Sequence, residues 1–193
     1  MFEKTNISSV LLKTKFKYHK EIKNKLISLI DKEKAESIKV KDNYFDDNIT
    51  FTDWSTSSNF ELPWKRYFLN YFVEVLKEMA NVLGFSKIKL MHLWFQKYEK
   101  DGYHNWHIHG YNYTGVYYLN LPKGSSDTKL LDCYDLKSVQ SSNAEEGDII
   151  FFPSSVIHKG SKQIKDETKI IISWNIELES IKKEILDYLK YVE

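Results

Sequence analysis

The chain has 193 residues, 42% of them apolar and 15% aromatic, which suits one ordinary domain with a proper core and argues against disorder. Its formal net charge is +1, so no strong field recruits nucleic acid or an anionic membrane surface.

In chain order, residues 1–16 carry Glu3 and scattered lysines without a continuous apolar run. Neither a secretion signal nor a membrane span is expected there, and the expected location is the cytoplasm, or a host's cytoplasm if the gene is viral. Residues 18–31 place Ile22, Leu26, Leu29 and Ile30 at helical spacing. Residues 32–62 are polar and irregular, with Asp46-Asp47 and a Ser/Thr run at 55–58, and read as a loop over one face. Pro63 opens a helix over about 64–83, with Phe68, Phe72, Val75, Leu76, Met79 and Leu83 as its apolar stripe and Gly84 as its stop.

From residue 86 the period becomes twofold. Ile88, Leu90, His92, Trp94, Gln96 and Tyr98 would share one strand face, and Met91, Leu93 and Phe95 the other. A turn at Lys100-Asp101-Gly102 follows, then a strand over 113–121 and a turn at Pro122-Lys123-Gly124. Further strands are expected at 129–134, 148–152, 156–163 and 168–178, and a closing helix at 179–192 through Ile181, Ile185, Leu186 and Leu189. The one cysteine, Cys133, excludes an internal disulfide and a zinc–thiolate cluster, and reads as a strand residue rather than a nucleophile. Helices followed by many short strands give an α+β class, with a sandwich or open barrel in the second half. The expected organisation is a single domain over 1–193: helical support at 1–85, a barrel core at 86–178 and a closing helix at 179–193.

The histidines carry the chemistry. His104, His107 and His109 fall within six residues. On a strand, i and i+2 point the same way, so His107 and His109 share a face and can chelate one metal, while His104 has the opposite parity. An H-x-H pair alone is as readily two surface or stacking histidines. Downstream lies Gly147-Asp-Ile-Ile-Phe-Phe-Pro-Ser-Ser-Val-Ile-His158: a turn, a buried strand, a second turn and a histidine opening the next strand. An antiparallel barrel can bring His158 opposite the earlier pair. Lys169 then heads the strand Lys-Ile-Ile-Ile-Ser-Trp-Asn175, sharing a face with Ile171, Ser173 and Asn175. Alone it is as well explained as a solvated strand-end lysine.

The order of these motifs resembles the 2-oxoglutarate and Fe(II)-dependent oxygenases, specifically the prolyl-hydroxylase-like branch with bacterial and phage members. The stretch Trp106-His-Ile-His109-Gly-Tyr-Asn-Tyr-Thr-Gly-Val-Tyr-Tyr-Leu119 resembles that branch's H-x-H and following strand, and Gly147 to His158 its second signature. The likeness spans roughly residues 88–178, and the first 85 residues match no pattern. It implies a double-stranded β-helix (jelly-roll, cupin-like) barrel packed by N-terminal helices and a C-terminal helix. It further implies that His107, His109 and His158 hold Fe(II), with 2-oxoglutarate as co-substrate and O2 as oxidant. Lys169 would pair with the C5 carboxylate of 2-oxoglutarate, and Tyr118 would hydrogen-bond the same carboxylate. The implied reaction couples 2-oxoglutarate decarboxylation to C–H hydroxylation of a small-molecule or peptide substrate.

Two departures stand out. A third imidazole sits where the wider superfamily has a carboxylate, which makes the site one charge more positive; Asp101 is the alternative carboxylate donor. Lys169 replaces the commoner arginine and offers a point charge without a bidentate fork. Two competing readings stay open: a three-His cupin-type dioxygenase or isomerase that does without 2-oxoglutarate, and a non-catalytic barrel binding module. Trp94, Gln96 and Tyr98 either line the substrate side or fill the barrel, and for Trp94 barrel filling is the expectation. No phosphate loop, no G-x-S-x-G elbow and no basic stripe are present, so nucleotide hydrolysis, serine hydrolysis and nucleic-acid binding are not favoured. Oligomeric state and substrate identity stay open.

Overall fold

The computed structural model describes residues 5–6, 9–42 and 46–192. In chain order its elements are β1 (Leu12–Lys15), α1 (His19–Ile30), β2 (Glu36–Lys41), β3 (Asp46–Thr52), α2 (Pro63–Val82), β4 (Phe85–Tyr98), β5 (His104–His107), β6 (Tyr113–Asn120), β7 (Thr128–Leu131), β8 (Val139–Ser141), β9 (Asp148–Pro153), β10 (His158–Gly160), β11 (Lys169–Ile181) and α3 (Lys183–Leu189). The strands form two antiparallel sheets, a large one in the order β1-β9-β6-β11-β4-β3-β2 and a small one in the order β5-β10-β7-β8. This is the double-stranded β-helix arrangement expected from the sequence.

The apolar runs of the central strands follow from burial on both faces of the large sheet. Leu93, Phe95, Tyr117, Leu119, Ile149, Phe151, Ile172 and Trp174 pack outward against Ile22 and Leu26 of α1 and Phe68, Phe72 and Leu76 of α2. Each such side chain, fully buried, contributes about 1.5–3 kcal/mol. Tyr98, Val116, Tyr118, Ile150, Phe152 and Ile171 face inward, toward Leu130 of the small sheet and Ile49. Gly115 lets β6 approach its neighbours closely, since a Cβ there would lie 2.5 Å from the Ile150 carbonyl and 2.6 Å from the Trp174 ring.

The two long helices stand within a residue of their expected bounds. Residues 32–62 do not form a loop: they hold the β2–β3 hairpin, which pairs with β4 through Phe51↔Lys97 and Thr52↔Gln96. The alternation of Ile38 and Val40 with Lys39 and Lys41 is the period-two signal for it. The single face expected for 88–98 is also broken. Asn175 pairs with His92 while Ile176 pairs with Leu90, so Met91 is a bulge. The bulge turns Ile88 and Leu90 to the helix side, away from Trp94 and Tyr98. The C-terminal helix is shorter than expected, because residues 179–181 still belong to β11. Its Ile185, Leu186 and Leu189 remain substantially exposed, and only Ile185 reaches in, over Gly84.

Candidate metal centre

The site begins with a cross-strand pair. β10 runs antiparallel to β5 with His158 opposite His107. β5 ends at His107, so His109 lies beyond the strand, but its N–H donates to the Ser154 carbonyl at 3.0 Å and holds it beside β10. The three imidazoles each offer a ligand nitrogen, all within 4.8 Å of one another. Metal–imidazole bonds of about 2.1 Å close such a set with modest side-chain adjustment.

Two of the rings are oriented by the same device. The Nδ1–H of His107 donates to the Asn105 carbonyl at 2.6 Å, and that of His158 to the Val156 carbonyl at 2.8 Å. This tautomer leaves each Nε2 lone pair for a metal and fixes each ring, as outer-shell partners of metal-binding histidines do. Burial lowers the pKa of all three. His107 is shifted down, His158 lies well below its ordinary value with His107 and His109 adding to the effect, and His109 is pushed down to about 3, with His107 and His104 adding. The imidazoles are therefore neutral at pH 7 and ready to ligate. Three nitrogen donors suit Fe(II), and also Zn, Cu or Ni.

A fourth histidine joins them, contrary to its expected parity. The β5–β10 register shifts between His107 and His104. His104 consequently stacks on His107 with ring centroids 3.6 Å apart and planes at 16°. The Gln96 amide lies 3.3 Å from His104 Nδ1, and the Asp47 carboxylate 3.9 Å from its Nε2. Asp101 is not placed to ligate: its exposed carboxylate pairs with Lys162 at 2.7 Å.

Two cavities meet at the triad. The inner one, about 20 Å³, lies among the histidines, Gln96, Tyr98, Val116, Thr128 and Ile171. The outer one, about 210 Å³, is lined by Ile38, Asp47, Ile49, Trp54, Trp94 and Ile108 together with His104, His107 and His109. Trp94 and Gln96 line both, and Tyr98 the inner one, so Trp94, expected as barrel filling, borders the cavities instead. Trp106 is partly exposed and carries the Lys159 ammonium 4.7 Å from its ring centroid. Trp174 is buried on the helix side.

Next to Tyr98 of the inner cavity lies Lys169, its partner in the β4–β11 register and 2% exposed. Its Nζ donates to the Ser126 carbonyl at 3.0 Å and sits 5.1 Å from the Tyr98 ring centroid. Burial lowers its pKa to about 8, with Asp127 opposing the shift. Tyr118 is fully buried, its hydroxyl donating to Thr128 Oγ1 at 2.7 Å and accepting from the Thr128 N–H at 3.0 Å. The Tyr98 hydroxyl is buried without a hydrogen-bond partner. The orphan Tyr98 hydroxyl at the inner cavity, with the buried Lys169 cation beside its ring, fits an anionic ligand, which would give the hydroxyl the partner it lacks and the cation a counter-charge.

The sequence reading missed Asp47, Trp54 and the placement of His104. Asp47 and Trp54 come from the 32–62 segment, whose hairpin was not anticipated. Trp54 stands at the outer cavity, edge-on to Trp94 at 4.6 Å and stacked on His92 at 5.7 Å. The residue before it, Asp53, is anchored in a buried pair: it accepts from Trp64 Nε1 at 3.0 Å and Phe95 N–H at 2.9 Å, and Lys65 lies 3.5 Å away.

Comparison with known proteins agrees with this geometry. Residues 92–175 match a family described as putative 2OG-Fe(II) oxygenase. No curated protein matches the chain. Among solved structures, a 2OG-Fe(II) oxygenase family oxidoreductase from Burkholderia pseudomallei superimposes with a TM-score of 0.70 at 10% identity, over 89% of this chain and 87% of that one. The viral collagen prolyl hydroxylase of Paramecium bursaria Chlorella virus-1, solved with 2-oxoglutarate, gives 0.58 at 19% identity, over 86% and 94%. HygX from Streptomyces hygroscopicus, with nickel and 2-oxoglutarate bound, gives 0.62 at 9% identity, over 91% and 85%. At these identities the shared property is the fold. Among the described residues no helix is long and apolar enough to cross a membrane.

Proposed function

We propose that this member of the 2-oxoglutarate and Fe(II)-dependent oxygenase superfamily hydroxylates a substrate C–H bond. In this reading the metal is held by His107, His109 and His158. The observation that carries it is the convergence of three imidazoles in a barrel that also buries Lys169 beside Tyr98 of the inner cavity. Bound Fe(II) supplies the O2-activating chemistry by which 2-oxoglutarate and RH become succinate, CO2 and ROH.

The chain's own residues hold and orient. The Asn105 and Val156 carbonyls fix the His107 and His158 rings. Lys169 attracts the distal carboxylate of the co-substrate as a point charge. Tyr98 donates its unpartnered hydroxyl to the same group, and Tyr118 joins by giving up its bond to Thr128. The inner cavity of about 20 Å³ holds roughly one water. A five-carbon diacid therefore seats there only as the lining side chains, Gln96 and Tyr98 among them, swing aside.

That tightness also favours a second reading, a three-His dioxygenase whose substrate chelates the metal from the outer cavity. The two separate in one experiment. Fe(II)-loaded protein with 2-oxoglutarate and O2 is expected to form succinate, slowly without substrate, and His107→Ala to form none. Metal uptake without succinate, even with candidate substrates, would favour the second reading. Absence of metal uptake would leave a non-catalytic barrel.

A further inference from the structure

We propose that the outer cavity receives a cationic nitrogen, an alkylammonium or guanidinium group carried by the substrate; the inference rests on the oxygenase reading of the same site. Among the described residues, Asp47 is the one carboxylate lining the cavity, and no lysine or arginine lines it. Its side chain is 16% exposed. Oδ1 accepts the Asn105 N–H at 2.8 Å, and the one ion-pair-range contact among the described residues is the 3.9 Å approach of the His104 ring. The buried Lys65 pairs with Asp53 and donates to the Thr56 carbonyl. Asp47 is thus a largely buried carboxylate facing a space to which the described residues bring no lysine or arginine. A cation gains more there than at an exposed carboxylate, whereas an anion is repelled and a neutral group leaves the charge uncompensated.

The aromatic walls agree with the charge. Trp54 and Trp94 meet edge to face at the cavity, and indole faces are the preferred aromatic seat for a cation within about 6 Å. The volume of about 210 Å³ equals about seven waters' share of the liquid, room for a lysine- or arginine-sized chain. Nor does the loaded centre oppose the charge. With three neutral ligands, the two positive charges of Fe(II) cancel against the dianionic co-substrate.

The test is a tryptophan-fluorescence titration of the full chain, metal-free and as the anaerobic Fe(II)–2-oxoglutarate form. The probes are Nα-acetyl-lysine amide against Nα-acetyl-norleucine amide, and Nα-acetyl-arginine amide against its citrulline isostere. At least one charged probe is expected to bind tenfold or more tightly than its neutral partner. Asp47→Asn keeps an oxygen for the Asn105 N–H and is expected to abolish that gap without lowering the melting temperature; Trp54→Leu is expected to narrow it. Free n-butylamine binding as tightly as the capped lysine would indicate a free amine, and capped residues alone a peptide side chain. Equal binding of charged and neutral partners, a gap that survives Asp47→Asn, or no binding of any probe overturns the inference. Cation preference without a metal–2-oxoglutarate complex would sink the oxygenase reading alone, and the converse would sink this one alone.

Discussion

His107 and His158 stand directly opposite each other in an antiparallel register, and each donates its Nδ1 proton to the backbone carbonyl two residues before it. The same local device thus orients two rings from two strands toward one point. Ring direction is set by the backbone, which the β-sheet holds, before any metal arrives.

Removing either ring is therefore expected to abolish Fe(II) binding. His107→Ala or His158→Ala should weaken it by more than the roughly 10–100-fold typical of losing an outer-shell partner. His109→Asp should retain binding, since it restores the common two-His-one-carboxylate set. Asp101→Asn should change nothing, its carboxylate being paired with Lys162. Anaerobic metal titration of the four variants checks all of this.

Lys169 gives a pH signature. Its folded pKa is about 8 against an ordinary 10.5. Between those values the unfolded chain holds the proton and the folded chain does not, so this group makes stability rise with pH across that window and stay flat below it. Affinity for 2-oxoglutarate runs the other way, steady below pH 8 and falling above it. Lys169→Met should leave the fold as stable or up to about 4 kcal/mol more so, while weakening 2-oxoglutarate by about 10–100-fold. Chemical denaturation and calorimetric titration across pH 7–10 measure the two effects.

The buried histidines act in the acid range. His109 falls to about 3, and His104 and His158 lie well below 6.5, all chiefly through burial. Below pH 6.5 the unfolded chain takes up protons that the folded chain refuses, so the metal-free protein loses stability as pH falls from about 6.5 toward 3. Its melting temperature is expected to drop steadily over pH 6.5–4, and less steeply in His104→Gln.

Two packing features carry stability. Gly115→Ala must push the Ile150 carbonyl or the Trp174 ring, and is expected to cost about 1–3 kcal/mol or more. Asp53→Ala leaves the Lys65 cation buried without its partner and is expected to cost about 3–5 kcal/mol. It should also loosen Trp54 and change its fluorescence. Thermal unfolding and emission spectra read both.

Much of the site was legible because its chemistry is local in sequence. His107-Ile-His109 and the Gly147–His158 block each encode a turn, a strand and a donor. Lys169 carried its meaning through parity with Ile171 and Ser173, and the structure keeps all three on the inner face. What escaped depends on irregularities that periodicity does not encode. The Met91 bulge reverses a face, and the shift between His104 and His107 brings a fourth imidazole to the site. The β2–β3 hairpin escaped because its outward residues are lysines and its inward run is short. With it went Asp47 and Trp54, whose importance comes only from a long-range approach to β4 and β5.

The most direct measurement is an anaerobic titration of Fe(II) into the protein with 2-oxoglutarate, watching the visible charge-transfer band of a chelated keto acid. The account predicts a band that requires His107 and Fe(II), and that weakens in Lys169→Met. Tight metal binding with no band at saturating 2-oxoglutarate would contradict it.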